Sequence, residues 1–185
     1  MGVARRLFGT KGYAATGTEE IVTSAGITRG ALYYQFADKR DLFEAVFLEV
    51  LEEVGQKVWS ETMEQVIDDK EDLIVGTRIM LDEFSRDEIK QIVLVDGPVV
   101  LGWADWRDLQ RPLHLAMLTH ALQHLVDEEI LPDQPLEPLS DVIAGAIMQA
   151  CLAIASAEDA VRARATYEAS VMELLGRFAN VAPPS

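Results

Sequence analysis

Apolar residues recur every three or four positions along most of the chain, which is the spacing of a buried helix face. The clearest repeat covers residues 39–59 and predicts one long amphipathic helix. Further helices are predicted over residues 3–11, 68–85, 87–95, 101–130, 139–157 and 159–179. We expect a stop at Asp96-Gly97-Pro98 and a bend near Pro112, because proline removes a backbone donor. The pattern therefore predicts an all-α protein.

Two shorter helices joined by a tight turn are predicted between residues 18 and 35. Thr18 places a hydroxyl at the start of the first helix, where unpaired backbone N–H groups favour it. Gly26 suits a left-handed helix end, since it carries no Cβ. Thr28 is placed to cap a second helix over residues 29–35 by accepting a hydrogen bond from a free N–H. The pattern predicts a helix-turn-helix.

The second short helix has an exposed face suited to DNA. Leu32 and Phe36, four residues apart, are expected to face the core. The side left for solvent carries Arg29, Gly30, Tyr33 and Tyr34. Arginine and tyrosine donate hydrogen bonds to phosphate oxygens, and glycine lets the backbone come close. We therefore predict that this face contacts a DNA groove.

The long helix that follows opens with two cations. Asp38 is expected to cap it, and Lys39 and Arg40 stand where positive charge opposes the helix dipole. Cations at a helix N-terminus indicate that an anion is held there, so a DNA phosphate is expected near Lys39.

Net charge at first argues against nucleic acid, because the chain carries −15 at pH 7. The distribution of the charge removes that objection. Residues 1–40 hold six basic and three acidic residues, whereas the rest holds ten of the 16 basic and 28 of the 31 acidic ones. This asymmetry predicts a small basic DNA-binding end on an acidic body that repels DNA.

Composition narrows the class of protein. With 185 residues and a hydrophobic fraction of 49%, the chain is long enough for a packed core. Its one cysteine, Cys151, cannot form an intramolecular disulfide and lies in an apolar run, so it is expected in the core. No signal peptide or uninterrupted apolar stretch of membrane-spanning length is evident. We expect a cytoplasmic protein that does not enter membranes.

The stretch ARRLFGTKGYAATGTEEIVTSAGITRGALYYQFADKRDLFEAV resembles the DNA-binding half of the TetR family of bacterial repressors. The shared marks are LF and GY in the first helix and its connection, EEI and AG in the next helix, and RGALYYQF followed by DK. A later stretch, VDGPVVLGWADWRDL, resembles one group of TetR-like regulatory domains. The resemblance implies groove or phosphate contacts by several residues of the helix-turn-helix. With the helix-start residue Thr18, the candidates are Thr18, Thr28, Arg29, Gly30, Tyr33, Tyr34 and Lys39.

Three features depart from the family pattern. Gly17 stands where a capping serine is frequent, which removes one expected phosphate contact. Gln35 replaces a frequent histidine and either alters base preference or changes nothing. The chain also begins inside the usual first helix, so the basic N-terminal arm of many members is either missing or not included.

An apolar ligand cavity is predicted in the second half of the chain. Aromatic and methionine side chains that could line it are Met80, Phe84, Trp103, Trp106 and Met117. Ordinary core packing is the alternative for each of them.

His120, His124 and Glu128 share one helix face, a spacing that suits a metal ion. Since no third strong ligand is apparent nearby, we expect a solvated polar face, no metal and no cofactor.

The last two predicted helices, residues 139–157 and 159–179, are more apolar than one monomer core needs. They predict a two-fold dimer through a four-helix bundle, or else they close the monomer. The domains are expected at residues 1–45, which bind DNA, and 46–182, which bind ligand and form the dimer, with a disordered tail after them.

We therefore predict a homodimeric transcriptional regulator, a repressor that a small apolar effector releases from a palindromic operator. The alternative is a helical dimer that senses small molecules and binds DNA poorly. The sequence offers no nucleophile with a base and no phosphate loop, so an enzyme is not expected.

Overall fold

A computed structural model describes residues 1–68 and 71–179, with the side chains of residues 178 and 179 outside the description. The described residues form helices and no strands. The first four are α1 (Gly2–Lys11), α2 (Thr18–Ala25), α3 (Arg29–Gln35) and α4 (Lys39–Gln65). α1 ends at Gly12 with φ of 80°, and α2 ends at Gly26 with φ of 65° and ψ of 30°. The predicted left-handed end at Gly26 is confirmed, as is the all-α class.

The second half begins with two helices and a π-helical segment. These are α5 (Asp72–Ser85), α6 (Asp87–Ile89) and the π-helix Lys90–Asp96. They are followed by α7 (Gly97–Leu101), α8 (Trp103–Asp127), α9 (Leu136–Ala155) and α10 (Ala160–Ala179). Pro112 lies inside α8.

Several predicted boundaries were wrong. α4 continues past residue 59 to Gln65. The predicted stop at Asp96-Gly97-Pro98 is instead the start of α7, because proline is tolerated in a first helical turn, where its missing N–H is not needed. The break falls at Gly102, which has φ of 86°. The predicted helix over residues 139–157 starts earlier, at Leu136, since Pro138 also fits within a first turn.

The chain divides into two compact units. The first comprises Met1–Glu53 and Arg86–Leu109, so it is larger than the expected segment 1–45. Its aromatic centre joins Phe8, Tyr13 and Phe43, whose ring centroids lie 5.2 to 5.7 Å apart. The Phe8–Phe43 and Tyr13–Phe43 pairs pack edge to face, an arrangement that stabilises aromatic pairs beyond simple burial.

The second unit comprises Val54–Ser85 and the chain from Gln110 onward. Its buried residues come from helices α4, α5, α8, α9 and α10 and include Val58, Leu81, Leu122, Leu125, Ile147 and Leu175. Cys151 is buried here, as the sequence predicted. Residues 180–182 of the predicted second domain, and the tail predicted to be disordered, lie outside the described residues.

Candidate nucleic-acid interface and pocket

The turn before α3 holds that helix by local hydrogen bonds. Thr28 has extended backbone and its Oγ1 accepts from the Ala31 N–H at 3.1 Å, which confirms the predicted cap. Leu32 is buried, whereas the other side of this short helix faces solvent. α4 begins with a second cap, in which Asp38 Oδ1 accepts from the Asp41 N–H at 2.8 Å. These caps fix where α3 begins and where α4 takes over.

The solvent face of α3 presents the side chains that the sequence singled out. Tyr34 is 92% exposed and Tyr33 is 38% exposed. The Arg29 guanidinium lies 5.4 Å from the centre of the Tyr33 ring, within reach of a cation–π contact. A Cβ added at Gly30 would meet only Thr28 Oγ1, at 3.8 Å. The surface is therefore open, with a cation and two phenols along one face.

Thr18 begins α2, where the preceding Gly17 offers no side chain to cap the helix. The first backbone N–H groups of α2 therefore have no side-chain acceptor from the cap position. Such groups, together with the helix dipole, favour an anion. A Cβ added at Gly17 would meet nothing within 4 Å, so this end of α2 is open.

Lys39 forms contacts within the first unit, whereas the sequence predicted a cation at the start of a helix that is free to bind a phosphate. Its Nζ donates to the Tyr13 carbonyl at 2.9 Å and to the Thr16 carbonyl at 3.0 Å. It also lies 3.9 Å from the centre of the Tyr13 ring. Two carbonyls and an aromatic face thus supply the negative partner that the sequence assigned to a phosphate.

Most other cations of the first unit also have protein partners. Arg5 forms ion pairs with Glu53 and Glu88, and hydrogen bonds to these two carboxylates raise its pKa above the usual value. Lys11 pairs with Glu20. Arg40 donates to the Val100 and Leu101 carbonyls and pairs with Glu44 and Asp105. Among the described residues, Arg6, Arg29 and Lys39 are the cations of segment 1–40 with no carboxylate partner, and Lys39 is bonded to carbonyls instead.

A segment distant in sequence holds the connection between α1 and α2. We call residues 86–109 the supporting segment. Its Asp96 accepts from the Tyr13 N–H at 2.7 Å, and Trp106 Nε1 donates to the Val93 carbonyl at 2.7 Å. A Cβ at Gly97 would lie 2.7 Å from the Trp106 ring and 3.1 Å from Phe47, so the backbone is packed tightly here. Sequence reasoning missed this role.

The second unit contains a pocket of about 440 Å³, counting the space at its mouth. Met80 and Met117 line it as predicted, but Phe84, Trp103 and Trp106 do not. Trp106 is buried in the first unit, Trp103 is 61% exposed in the first turn of α8, and Phe84 is packed in the core. The walls come from α4, α5, α8 and α9 and include Trp59, Met63, Leu73, Met80, Met117, Ala121 and Ile147. Met63 was missed because α4 was predicted to end at residue 59, whereas Trp59 lies inside the predicted helix and was not selected as a lining residue.

Four polar residues of the described chain line the pocket, namely Thr62, Thr77, Asp72 and His120. His124 is not a lining residue, but it forms a cluster with Asp72 and His120. The potential ligand atoms of this cluster all lie within 4.8 Å of one another. His124 Nδ1 lies 2.8 Å from Asp72 Oδ2, and His120 Nε2 lies 3.8 Å from the same oxygen. The expected histidine pair is therefore real, but Glu128 lies outside the cluster and a buried aspartate from α5 takes its place.

The outer face of α9 and α10 carries exposed apolar residues. Val142, Tyr167 and Leu174 are exposed to solvent. A Cβ at Gly145 or Gly176 would meet nothing within 4 Å. α9 is long and apolar enough to cross a membrane by length and composition alone, which is weak evidence of a membrane span because core helices pass the same test. Its exposed face is also what a helical partner would cover.

Comparison with known proteins matches both halves of the chain. Residues 1–46 match the model of bacterial regulatory proteins of the tetR family. Residues 70–178 match the tetracyclin repressor-like C-terminal domain. The second match alone covers more than half of the chain.

Individual relatives agree. The chain is 49% identical over 45 residues to the HTH-type transcriptional regulator AcrR of Shigella flexneri, covering 24% of this chain and 21% of that protein. It is 42% identical over 59 residues to the HTH-type transcriptional regulator QacR of Staphylococcus aureus, covering 32% and 31%. These matches thus span less than a third of either relative.

A solved structure covers the whole fold. The crystal structure of a TetR-family transcriptional regulator from Pectobacterium atrosepticum is 31% identical, with a TM-score of 0.86 over 99% of this chain and 93% of that one. The matched proteins are named as regulators of transcription, which are not enzymes. The chain belongs to the TetR family of DNA-binding transcriptional regulators.

Proposed function

We propose that this protein is a cytoplasmic homodimeric repressor that binds a palindromic DNA operator through α3 and is released by a small apolar effector in the second unit. The observation that carries the proposal is the face of α3 on which Arg29, Gly30, Tyr33 and Tyr34 are all exposed to solvent. A face of this kind fits the major groove, which admits one helix.

The DNA contacts follow from the position of each residue. Thr28, Arg29 and Gly30 are at the N-terminus of α3, the end of a recognition helix that reaches base edges. Arg29 supplies the donor pair that guanine accepts best, while Tyr33 and Tyr34 donate to phosphates. Thr18 and the uncapped start of α2 hold another phosphate. Lys39 acts chiefly by fixing the connection between α1 and α2.

Dimer formation rests on α9 and α10. Their exposed Val142, Tyr167 and Leu174 form an apolar face, and Gly145 and Gly176 allow a partner helix to approach closely. Two copies related by a two-fold axis would place the α3 helices on two half-sites, separated by one turn of DNA or a multiple of it.

The effector site is the pocket of the second unit. Its walls are apolar and rich in methionine, which adapts to ligands of irregular shape. Two of the helices that line it, α4 and α8, also contribute residues to the first unit. A ligand that favours one arrangement of these helices would change operator affinity, and DNA would weaken effector binding by the same factor.

The test starts from random duplex DNA, from which the wild-type protein selects its own operator. Affinity for the selected duplex is then measured by fluorescence anisotropy for wild type, Arg29→Ala and the control Arg107→Ala. Arg107 is an exposed arginine paired with Asp108 and distant in sequence from α3. We expect Arg29→Ala to cost ~1 to 3 kcal/mol and to relax specificity at one base position, while the control changes neither.

Equal affinities for wild type and Arg29→Ala would contradict the assignment of α3 as the DNA-reading helix. Failure of the wild type to enrich any sequence, with a stable dimer in solution, would favour the alternative of a small-molecule sensor that binds DNA poorly. A monomer at micromolar concentration would contradict the dimer through α9 and α10.

A further inference from the structure

The DNA-binding function makes no use of Asp72, His120 and His124. His120 and His124 are one helical turn apart on α8, and Asp72 is the first residue of α5. The two imidazole rings are 4.4 Å apart between centroids, and the Trp59 ring lies 4.8 Å from His120. Three separate helices therefore bring two imidazoles and a carboxylate together under an aromatic cover.

Asp72 is the unusual member of this cluster. Its side chain is 3% exposed, and among the described residues neither of its oxygens accepts a hydrogen bond. The 2.8 Å approach of His124 Nδ1 does not have hydrogen-bond geometry, and that nitrogen has no other partner in the described chain. Because a buried carboxylate without compensation is costly, a cation bound among the three side chains would stabilise this arrangement.

We propose that Asp72, His120 and His124 form a binding site for a divalent first-row transition-metal ion, with Zn²⁺ as the expected ion. Imidazole nitrogen and carboxylate oxygen are ligands that Zn²⁺ accepts at about 2.0 to 2.2 Å. Two ligands of a tetrahedral ion at such distances are about 3.4 Å apart. The two separations between Asp72 and the histidines, 2.8 and 3.8 Å, bracket this value, and all three potential ligand atoms lie within 4.8 Å of one another.

The surroundings favour a metal over a solvated polar face. Leu73, Met80, Ala121 and Ile147 border the same pocket and limit water around the ion. Two histidines on one helix turn are held in register by the backbone, which reduces the entropy lost on binding. Three protein ligands leave at least one coordination position, and the pocket is the space available to it.

Metal binding does not depend on the proposed DNA binding, so each can fail without the other. An ion at this position would place a positive charge beside Asp72 and His120 in the lining of a mostly apolar pocket. The pocket would then favour molecules with an apolar body and one oxygen or nitrogen donor. The metal site would therefore add a charged group to the proposed effector pocket, and it can be tested as a metal site whether or not the pocket binds an effector.

The experiment uses the full chain and the metal alone. Zn²⁺ binding is measured by equilibrium dialysis at high salt with excess Mg²⁺, which suppresses weak binding by the many surface carboxylates. Co²⁺ serves as a spectroscopic probe, since its visible absorption reports nitrogen and oxygen coordination. The variants are Asp72→Asn, His124→Gln and the double variant His120→Gln/His124→Gln. The matched control is His114→Gln, which replaces the third histidine of the chain, on the same helix.

We expect one tightly held ion per chain in the wild type and in His114→Gln. Affinity should fall at least about tenfold in each single variant, with loss of the Co²⁺ spectrum in the double variant. Equal Zn²⁺ binding by wild type and double variant would overturn the site, as would equal losses in His114→Gln and His124→Gln. The His124 side chain is 22% exposed and that of His120 is 37% exposed, so these variants are expected to fold even if Asp72→Asn does not.

Discussion

Replacement of Lys39 by methionine separates two roles for this cation. Methionine keeps an apolar stem over the Tyr13 ring but removes the ammonium that bonds to the Tyr13 and Thr16 carbonyls. If the ammonium mainly fixes the connection between α1 and α2, Lys39→Met should lower the stability of the protein. If it mainly binds a phosphate, stability should change little and the salt dependence of DNA binding should change instead.

The expected loss of stability in Lys39→Met can be derived from the contacts of Lys39. A hydrogen bond to a charged group contributes ~1.5 to 3 kcal/mol, and an exposed cation–π contact ~0.5 to 1 kcal/mol. Lys39 is only half-buried and makes two such bonds, and water replaces part of what is lost. We therefore expect Lys39→Met to reduce the free energy of unfolding by about 2 kcal/mol.

The assay is urea denaturation followed by circular dichroism at fixed protein concentration, with operator binding measured over a series of salt concentrations. Lys11→Met is the matched control, since Lys11 makes an exposed ion pair with Glu20 that is worth less than ~1 kcal/mol. The slope of log affinity against log salt should stay unchanged in Lys39→Met. Unaltered stability, or a slope reduced by about 0.9, would refute the positioning role.

Three other predictions concern packing and titration. Gly97→Ala should cost ~1 to 3 kcal/mol in urea denaturation because its methyl meets Trp106 and Phe47, whereas Gly2→Ala, which meets nothing within 4 Å, should not be destabilising. Burial raises the pKa of Cys151 to about 12, so a thiol reagent at pH 8 should label it only in denaturant, and rapid labelling of folded protein would contradict this. Burial lowers the pKa of His114 although Asp141 opposes the shift, so folding stability should fall as pH drops below about 6.5, and His114→Gln should reduce that loss.

The helix-turn-helix could be predicted from the sequence because its signals are local. Gly26 ends α2 in the left-handed region, and Thr28 caps α3 by a bond to a residue three positions on. Each feature depends on residues within one turn of helix. The exposed face of α3 follows from the same periodicity, since Leu32 alone in that helix is buried.

The supporting segment could not be predicted in this way. Asp96 reaches the Tyr13 N–H across 83 residues of sequence, and no periodicity encodes such a contact. The two tryptophans illustrate the cost of that limit. Both were predicted to line a ligand cavity because they are aromatic. Instead, α8 begins directly after Gly102, so Trp103 lies on its exposed first turn. Trp106 is buried and donates a hydrogen bond to the Val93 carbonyl.

The proposed metal site also depends on a contact between residues that are distant in sequence. The spacing of His120 and His124 was visible in the sequence, but the third group was sought along α8, at Glu128. The third group in the structure is Asp72, which belongs to a different helix. Its carboxylate is buried, and a buried carboxylate indicates a bound cation more strongly than an exposed one does. A ligand set assembled from two helices needs tertiary structure before it can be recognised.

Most basic residues of segment 1–40 have partners within the protein, so their charge is less available to DNA than the sequence suggested. Arg5, Lys11, Lys39 and Arg40 are held by carboxylates or carbonyls of the first unit, so they stabilise that unit more than they attract DNA. Because few cations remain for phosphates, little counterion is released and non-specific binding should be weak. In the proposed complex, recognition would then depend on the placement of Arg29 and its neutral neighbours. The cap at Thr28 fixes the start of α3 and the cap at Asp38 fixes the start of α4, so the proposed selective DNA binding would not require a strongly basic surface.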